Sequence, residues 1–302
     1  MIFKETNCAI CQSPTDSLPI YASSVDQASF STEVFSARRI PDRRHYAWVR
    51  CKACGLLRSD PIASTDLGDL YEKSTFDYST EISGLKSTYF RILKKFAINA
   101  TDRRTLLEVG GGNGFFLEEV VDRDFADVTG IEPSIRAVNA ARTDIRPHMV
   151  TGMMEPGIVP NNNFDFVCMF HVLDHLEDPF SVIKTCVAAL KPNGFFLVAV
   201  HNEKSWSAKL MGEKSPIVDV EHTYLYSRKT AENLFAKAGL IEISSGSYWN
   251  NYSLAYLIHL IPIPNRIKKM ILESSFGKFL SIIRITVPLG NMWVAGKKIE
   301  SL

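Results

Sequence analysis

Apolar and polar positions alternate in a regular way through the middle of the chain. Leu106, Leu107 and Val109 form a short apolar run that suits a buried parallel strand. Phe115, Phe116, Leu117, Val120 and Val121 then share one helical face, with Glu118 and Glu119 turned outward. Further strands are predicted at 128–132, 148–152, 166–170 and 195–200. An amphipathic helix at 181–190 precedes the last of these and is closed by Lys191-Pro192-Asn193-Gly194. Strands alternating with helices predict an α/β fold with a doubly wound sheet. Downstream come a helix at 228–238 closed by Gly239, a sixth strand at 241–245 and a last strand at 292–298. Upstream, 66–100 reads as a helix–turn–helix connector whose Tyr89, Phe90, Leu93 and Phe96 form a core-facing stripe.

The turn between the first strand and its helix carries the first chemical signal. Four glycines in five residues, 110–114, let the backbone turn sharply and leave room for a ligand. A strand, such a turn and a helix N-terminus make a nucleotide-type binding corner. The dinucleotide fingerprint G-x-G-x-x-G fails, because its third glycine would fall at Phe115. What stands there is Glu108-x-Gly110-x-Gly112-x-Gly114. This resembles motif I of class I S-adenosylmethionine (SAM)-dependent methyltransferases, a Rossmann-like family. The resemblance implies that Glu108, Gly110, Gly112 and Gly114 pack against SAM, and that the sheet has seven strands with the last antiparallel.

The same resemblance extends along the chain. Glu132 ends the second strand, where a carboxylate can accept both ribose hydroxyls. After the third strand the family commonly has an acid and its neighbour at adenine. Here Met153 and Met154 occupy those positions, a departure from the pattern. Residues 163–179 resemble motif IV and its H-x-L-x-H-x-x-D-P continuation, with Asp178 as helix cap and Pro179 at the first helical position. That match implies that Phe170 and His171 meet the cofactor methyl, while His175 reads as packing or capping locally. Residues 195–200 end in His201-Asn202-Glu203 at the carboxyl edge, where such sheets bind ligands. The Glu221-His222 pair resembles a Glu-His pair that sugar C-methyltransferases of this family use at the substrate. Glu221 and His222, with His171, are therefore the candidates for acid–base work. Tyr71 and Tyr78 lie where the family folds a tyrosine-bearing segment over SAM, and Tyr78 is also a candidate for substrate contact.

Six cysteines change the picture at the N-terminus. Cys8-x-x-Cys11 and Cys51-x-x-Cys54 supply two knuckles for a closed, structural four-thiolate zinc site. Cys168 and Cys186 stand alone, so the cysteines argue for a metal in a reducing, cytoplasmic setting over a disulfide framework. The stretch 51–61 resembles the zinc-ribbon prefix of some methyltransferases of this class. Three parts result: a zinc-ribbon module at 1–62, a helical connector and cofactor lid at 63–100, and a SAM-binding domain at 101–302 with an apolar insert at about 246–290.

Length, composition and charge limit the partners. At 302 residues, 46% hydrophobic and 22% charged, the chain is of ordinary globular type. A net charge of +1 gives no global pull toward DNA or RNA. Arg38, Arg39, Arg43, Arg44, His45, Arg50, Lys52 and Arg58 nonetheless form a local basic cluster, either a solvated face or a phosphate contact. The start of the chain does not read as a signal peptide, and no apolar run is long enough to cross a bilayer. The insert reads as a lid or a dimer interface in preference to a membrane-surface helix. The expected activity is methyl transfer from SAM to a small molecule, a sugar, nucleotide-linked sugar or secondary metabolite, at carbon or oxygen. Alternatives are a zinc-ribbon RNA methyltransferase and a non-catalytic binding module.

Overall fold

The computed structural model describes residues 3–12, 16–25, 44–63, 82–97, 104–261 and 263–299. Tyr71, Tyr78, Arg38, Arg39 and Arg43 lie outside the described residues. The chain opens with five short strands: β1 (Phe3–Lys4), β2 (Ser17–Tyr21), β3 (Trp48–Cys51), β4 (Leu57–Ser59) and β5 (Ile62–Ala63). β1 pairs with β5, and β2, β3 and β4 form an antiparallel ladder. Helix α1 (Ile82–Leu93) follows, with Leu85, Tyr89, Phe90, Ile92 and Leu93 buried. The apolar stripe predicted for the connector is thus present, but it packs into the central domain. Tyr89 stacks on Phe170 with ring centroids 4.2 Å apart.

The central domain runs through β6 (Arg104–Val109), α2 (Phe115–Asp122), β7 (Ala126–Glu132), α3 (Ile135–Asn139), β8 (Met149–Thr151), β9 (Phe164–Phe170), α4 (Pro179–Ala189) and β10 (Leu190–His201). Helix α5 (Trp206–Met211), β11 (Tyr224–Leu225), α6 (Arg228–Lys237) and β12 (Leu240–Ser247) come next. The insert contributes β13 (Asn250–Ser253), α7 (Leu254–Leu260), α8 (Asn265–Leu272), α9 (Ser275–Ile282) and β14 (Arg284–Val287), before β15 (Asn291–Lys298). Seven strands form one sheet in the order β12-β15-β10-β9-β6-β7-β8. β6 is parallel to β7 and β9, β7 to β8, and β9 to β10. β15 runs antiparallel to both β10 and β12.

Both faces of this sheet are covered, which is why its strands read as unbroken apolar runs. Val167 and Met169 of β9 join one core cluster, whereas Phe166, Cys168 and Phe170 join the other. Successive side chains point to opposite faces, so each strand feeds two cores. Asp178 caps α4 by accepting from Ser181 N at 3.1 Å, with Pro179 in the first turn, as the sequence predicts. The helix stops one residue earlier than expected, at Ala189. Residues 191–194 belong to β10, whose register shifts between Leu190 and Phe195 where Asn193 takes φ 66°.

The N-terminal strands take one partner strand from later in the chain. β11 pairs antiparallel with β4, giving a four-stranded sheet in the order β11-β4-β3-β2. The boundary expected at 62 is therefore crossed by a strand from residue 224 onward. Tyr224 Oη reinforces the junction by donating to Asn7 O at 2.8 Å. Arg50 adds a paired contact to Glu203, with both N···O distances 2.8 Å.

Candidate active site

A cavity of about 1360 Å³ opens at the carboxyl ends of the parallel strands. Gly110, Gly112, Glu132, Met153 and Met154 line one part of it. Gly110 has φ +73°, and a Cβ there would come within 2.3 Å of Val172 Cγ2. Gly112 also has positive φ, +54°, but a Cβ would meet nothing within 4 Å. The first glycine is thus required by packing and the second leaves open space. Glu132 ends β7 with its carboxylate fixed: Oε2 accepts from Gly112 N at 2.8 Å and Oε1 from Ser134 N at 2.9 Å. Burial raises its pKa, and those two backbone donors oppose the shift.

Glu108 and Gly114 sit behind this wall and do not line the cavity. Glu108 is buried, and its Oε2 has no hydrogen-bond partner. Burial first, then the nearby Glu132 charge, push its carboxyl well above the usual range. Gly114, at φ 75°, starts α2 and fits against Ile145, which a Cβ would approach to 2.8 Å. Tyr89, expected only in the core, also reaches the cavity beside Phe170.

The opposite part is lined by imidazoles. His171, His175, His201 and His222 all face the cavity, as does Glu221. His171 follows β9 at φ 55°, and its Nε2 lies 2.9 Å from Tyr248 Oη. The His171 and His201 ring centroids are 4.7 Å apart, as are those of His175 and His222. Between them lies Asp174, fully buried. Burial works to raise the Asp174 pKa, but the facing His175, His201 and His222 outweigh it and hold the carboxylate below its ordinary value. For His222 burial dominates, helped by His175, and depresses its pKa well below the ordinary imidazole range against the pull of Asp174. Asp174 is thus held below its ordinary value and His222 well below its own.

The sequence did not single out Asp174, and it read His175 as local packing. His175 instead joins the histidine group, with Nδ1 2.8 Å from Glu221 O. The four histidines come from three separate stretches, so only the fold assembles them. Tyr252, Tyr256, Leu257, Leu260 and Ile261 of the insert also line the cavity. Among the described residues no helix is long and apolar enough to cross a membrane.

Cys8, Cys11, Cys51 and Cys54 converge away from the cavity. Cys8 Sγ lies 3.4 Å from Cys54 Sγ, and Cys11 Sγ 3.8 Å from Cys51 Sγ. Their donor atoms all lie within 4.8 Å of one another. The described members of the basic cluster are engaged within the protein. Arg50 pairs with Glu203, Lys52 with Asp16 at 2.7 Å, and the buried Arg58 with Asp60 at 3.1 Å. His45 is buried with Nε2 3.3 Å from Glu213.

The model of a methyltransferase domain matches residues 83–244, starting inside α1 and ending within β12. A ubiquinone biosynthesis O-methyltransferase of Histophilus somni is 27% identical over 143 residues, 43% of this chain. The match spans 59% of that relative's length. Among solved structures, the YcgJ protein of Bacillus subtilis superposes with a TM-score of 0.51 at 16% identity, covering 71% of this chain and 99% of that one. Phosphoethanolamine N-methyltransferase 2 of Haemonchus contortus, solved with SAM, gives 0.51 at 15%, covering 85% of this chain and 65% of that one. These two likenesses carry the fold, a Rossmann-like sheet, and the family match spans β6 to β10 with the turns at their carboxyl ends. On that footing the chain belongs to the methyltransferase-domain family.

Proposed function

We propose that the protein transfers a methyl group from SAM to a small-molecule acceptor. The observation that carries this reading is one cavity with the Gly110–Gly112 turn and Glu132 on one side and His171 and His222 on the other. The residues present suit SAM. The space at Gly112 admits a ligand, the fixed carboxylate of Glu132 suits ribose hydroxyls, and Glu108 brings an unpartnered buried oxygen beneath the turn. Met153 and Met154 are assigned to adenine, Phe170 to the reacting end, and Tyr71 and Tyr78 to closure over the cofactor. SAM supplies an electrophilic methyl group: the acceptor's lone pair or carbanion forms the new bond, sulfur keeps the broken bond's electrons, and the acceptor's proton must leave.

His222 and His171, aided by Glu221, are assigned to that proton. A neutral His222 can accept one, and a buried site strengthens such positioning. The Histophilus relative is named for O-methylation, which favours a hydroxyl acceptor; a sugar, a nucleotide-linked sugar or a secondary metabolite carries one. The internal pairing of Arg50, Lys52 and Arg58 speaks against RNA as acceptor.

The N-terminal module at 1–62 is assigned a structural zinc on its four cysteines. Four donors on bonds of about 2.3 Å sit about 3.8 Å apart in a tetrahedron, close to the paired Sγ distances. The connector at 63–100 is assigned to cofactor closure, and 101–302 to the SAM-binding domain. Free thiols fit a cytoplasmic setting.

The test is a thermal melt with SAM, S-adenosylhomocysteine and NAD, followed by labelled-methyl transfer onto a hydroxylated small-molecule panel. Ligand at about 100 times its Kd stabilises by about 2.7 kcal/mol. A shift with both SAM ligands and none with NAD supports the reading. Absence of a shift in folded, cofactor-free protein overturns it and leaves a binding module.

A further inference from the structure

Asp174 has no exposure to solvent, yet neither of its carboxylate oxygens has a hydrogen-bond partner. Imidazoles surround it. The Nε2 atoms of His175, His201 and His222 stand 3.8, 3.9 and 3.8 Å from its oxygens. Such gaps are too long for hydrogen bonds. They approach the spacing of two donors on one cation, since bonds of about 2.1 Å at a tetrahedral angle set donors about 3.5 Å apart. The donor atoms of Asp174, His175 and His222 all lie within 4.8 Å of one another, and those of His171, Asp174 and His201 do likewise.

The ring tautomers point the same way. His175 Nδ1 faces the backbone carbonyl of Glu221 at 2.8 Å, an acceptor only, so Nδ1 carries the hydrogen. His201 Nδ1 is 2.9 Å from Asn291 Oδ1, and the Asn291 amide nitrogen is turned toward Tyr252 Oη at 3.0 Å. Each ring then presents its Nε2 toward the buried carboxylate. A buried carboxylate without a hydrogen-bond partner is costly unless positive charge balances it, and a cation among these nitrogens supplies that balance. A metal-binding histidine characteristically gives its other ring N–H to a carbonyl oxygen, as both rings do here.

We infer that Asp174, His175 and His222 hold one divalent transition-metal cation on the acceptor side of the cavity. Imidazole nitrogens with a single carboxylate suit zinc, iron, cobalt or nickel over magnesium or calcium. The histidines line the same cavity as Glu132, so a remaining coordination position opens toward the acceptor. A cation there takes the oxygen of a hydroxylated acceptor and lowers its pKa. His222 then acts as a ligand, and His171 is left to receive the proton. This role toward the acceptor rests on the methyl-transfer reading; binding of the cation does not.

The test uses cobalt(II) on the full chain under reducing conditions. The four-cysteine site reports itself by thiolate charge-transfer bands, which the histidine site lacks. The wild type takes up one equivalent without thiolate bands, and Asp174→Asn loses that equivalent. His175→Ala, at a partly exposed position, weakens it at least about tenfold and carries the comparison if Asp174→Asn does not fold. Circular dichroism and an S-adenosylhomocysteine melt report whether each variant is folded. Cobalt uptake only with thiolate bands, or an unchanged second equivalent in folded Asp174→Asn, overturns the inference; protons then balance Asp174. A second equivalent in protein that ignores SAM ligands keeps the metal site and sinks the methyl-transfer reading alone.

Discussion

Ser59 Oγ donates to the backbone carbonyl of His222 at 2.9 Å, tying the N-terminal module to the segment that carries the candidate base. Ser59 N also donates to Thr223 O at 2.9 Å, and β11 continues the ladder on β4. The backbone from the His222 carbonyl onward is therefore held by the module's edge. Thr223 N and Tyr224 N in turn donate to Asp174 O at 2.8 and 3.1 Å, which holds the Asp174 loop against the same segment. The N-terminal module can in this way fix the geometry of the histidine group.

Ser59→Ala tests that coupling. The substitution removes one donor and leaves the buried His222 carbonyl short of a partner, a cost of about 1–3 kcal/mol. The Tm falls accordingly. Because the SAM side of the cavity is built by β6 and β7, affinity for S-adenosylhomocysteine stays near the wild-type value while methyl transfer slows. Equal losses of cofactor affinity and turnover would mean that the contact supports the fold and not His222 in particular.

Gly110→Ala and Gly112→Ala should separate two functions of the turn. Both force an alanine into positive φ, which costs about 1–2 kcal/mol. At Gly110 the new methyl also meets Val172 at 2.3 Å, so the turn itself must move. At Gly112 it enters open space in the cavity. Calorimetry and melts should find Gly110→Ala poorly folded. Gly112→Ala should be folded, with SAM affinity reduced at least about tenfold, as steric exclusion of about 1.4 kcal/mol would give. A Gly112→Ala protein that binds SAM normally would take the turn out of the cofactor site.

Much of this architecture could be read from local pattern. The β6–glycine turn–α2 unit, β9 and the Asp178–Pro179 helix start each rest on residues adjacent in sequence, where strand burial, positive φ and capping act directly. The histidine group could not be read that way. Asp174 and His175 lie in a loop after β9, His201 ends β10, and His222 sits in the segment before β11. Their meeting depends on parallel strands ending at one edge and on β11 docking against β4, and no periodicity encodes either. The place of α1 is a related case. An apolar stripe tells that a helix is buried, and the stack of Tyr89 on Phe170 tells against what. Charge composition likewise does not reveal partners such as Glu203, distant in sequence from Arg50.

Glu108 should make the folded state lose stability as pH rises above the ordinary carboxyl range. Its folded-state pKa lies above the unfolded value of about 4.5, so the folded state holds a proton that the unfolded state releases. The contribution is fully present below about 4.5 and is lost as pH rises toward the folded value. Each unit of separation corresponds to about 1.4 kcal/mol. Glu108→Gln mimics the protonated carboxyl, so its Tm should gain on the wild type as pH rises from 5 toward about 8. Parallel Tm profiles for the two proteins would mean that Glu108 is ionised in the folded state.

The cysteine site offers the complementary test of how far the module's influence reaches. Cys11→Ser with Cys54→Ser removes one thiolate from each knuckle, and a closed structural zinc site does not survive with two. Zinc bound to the four cysteines should fall from one equivalent to none. The β3–β4 ladder then loses its anchor at Cys51, and with it the edge on which β11 pairs. Loss of order at β11 frees His222 and Thr223, so methyl transfer should fall at least about tenfold, about 1.4 kcal/mol in the barrier. The wall formed by Gly110, Gly112 and Glu132 stands on β6 and β7 and is untouched by this change. S-adenosylhomocysteine binding measured by calorimetry should therefore persist in the double variant. If binding and turnover vanish together, the metal supports the whole fold, and the module is a condition of folding, not a positioning device for His222.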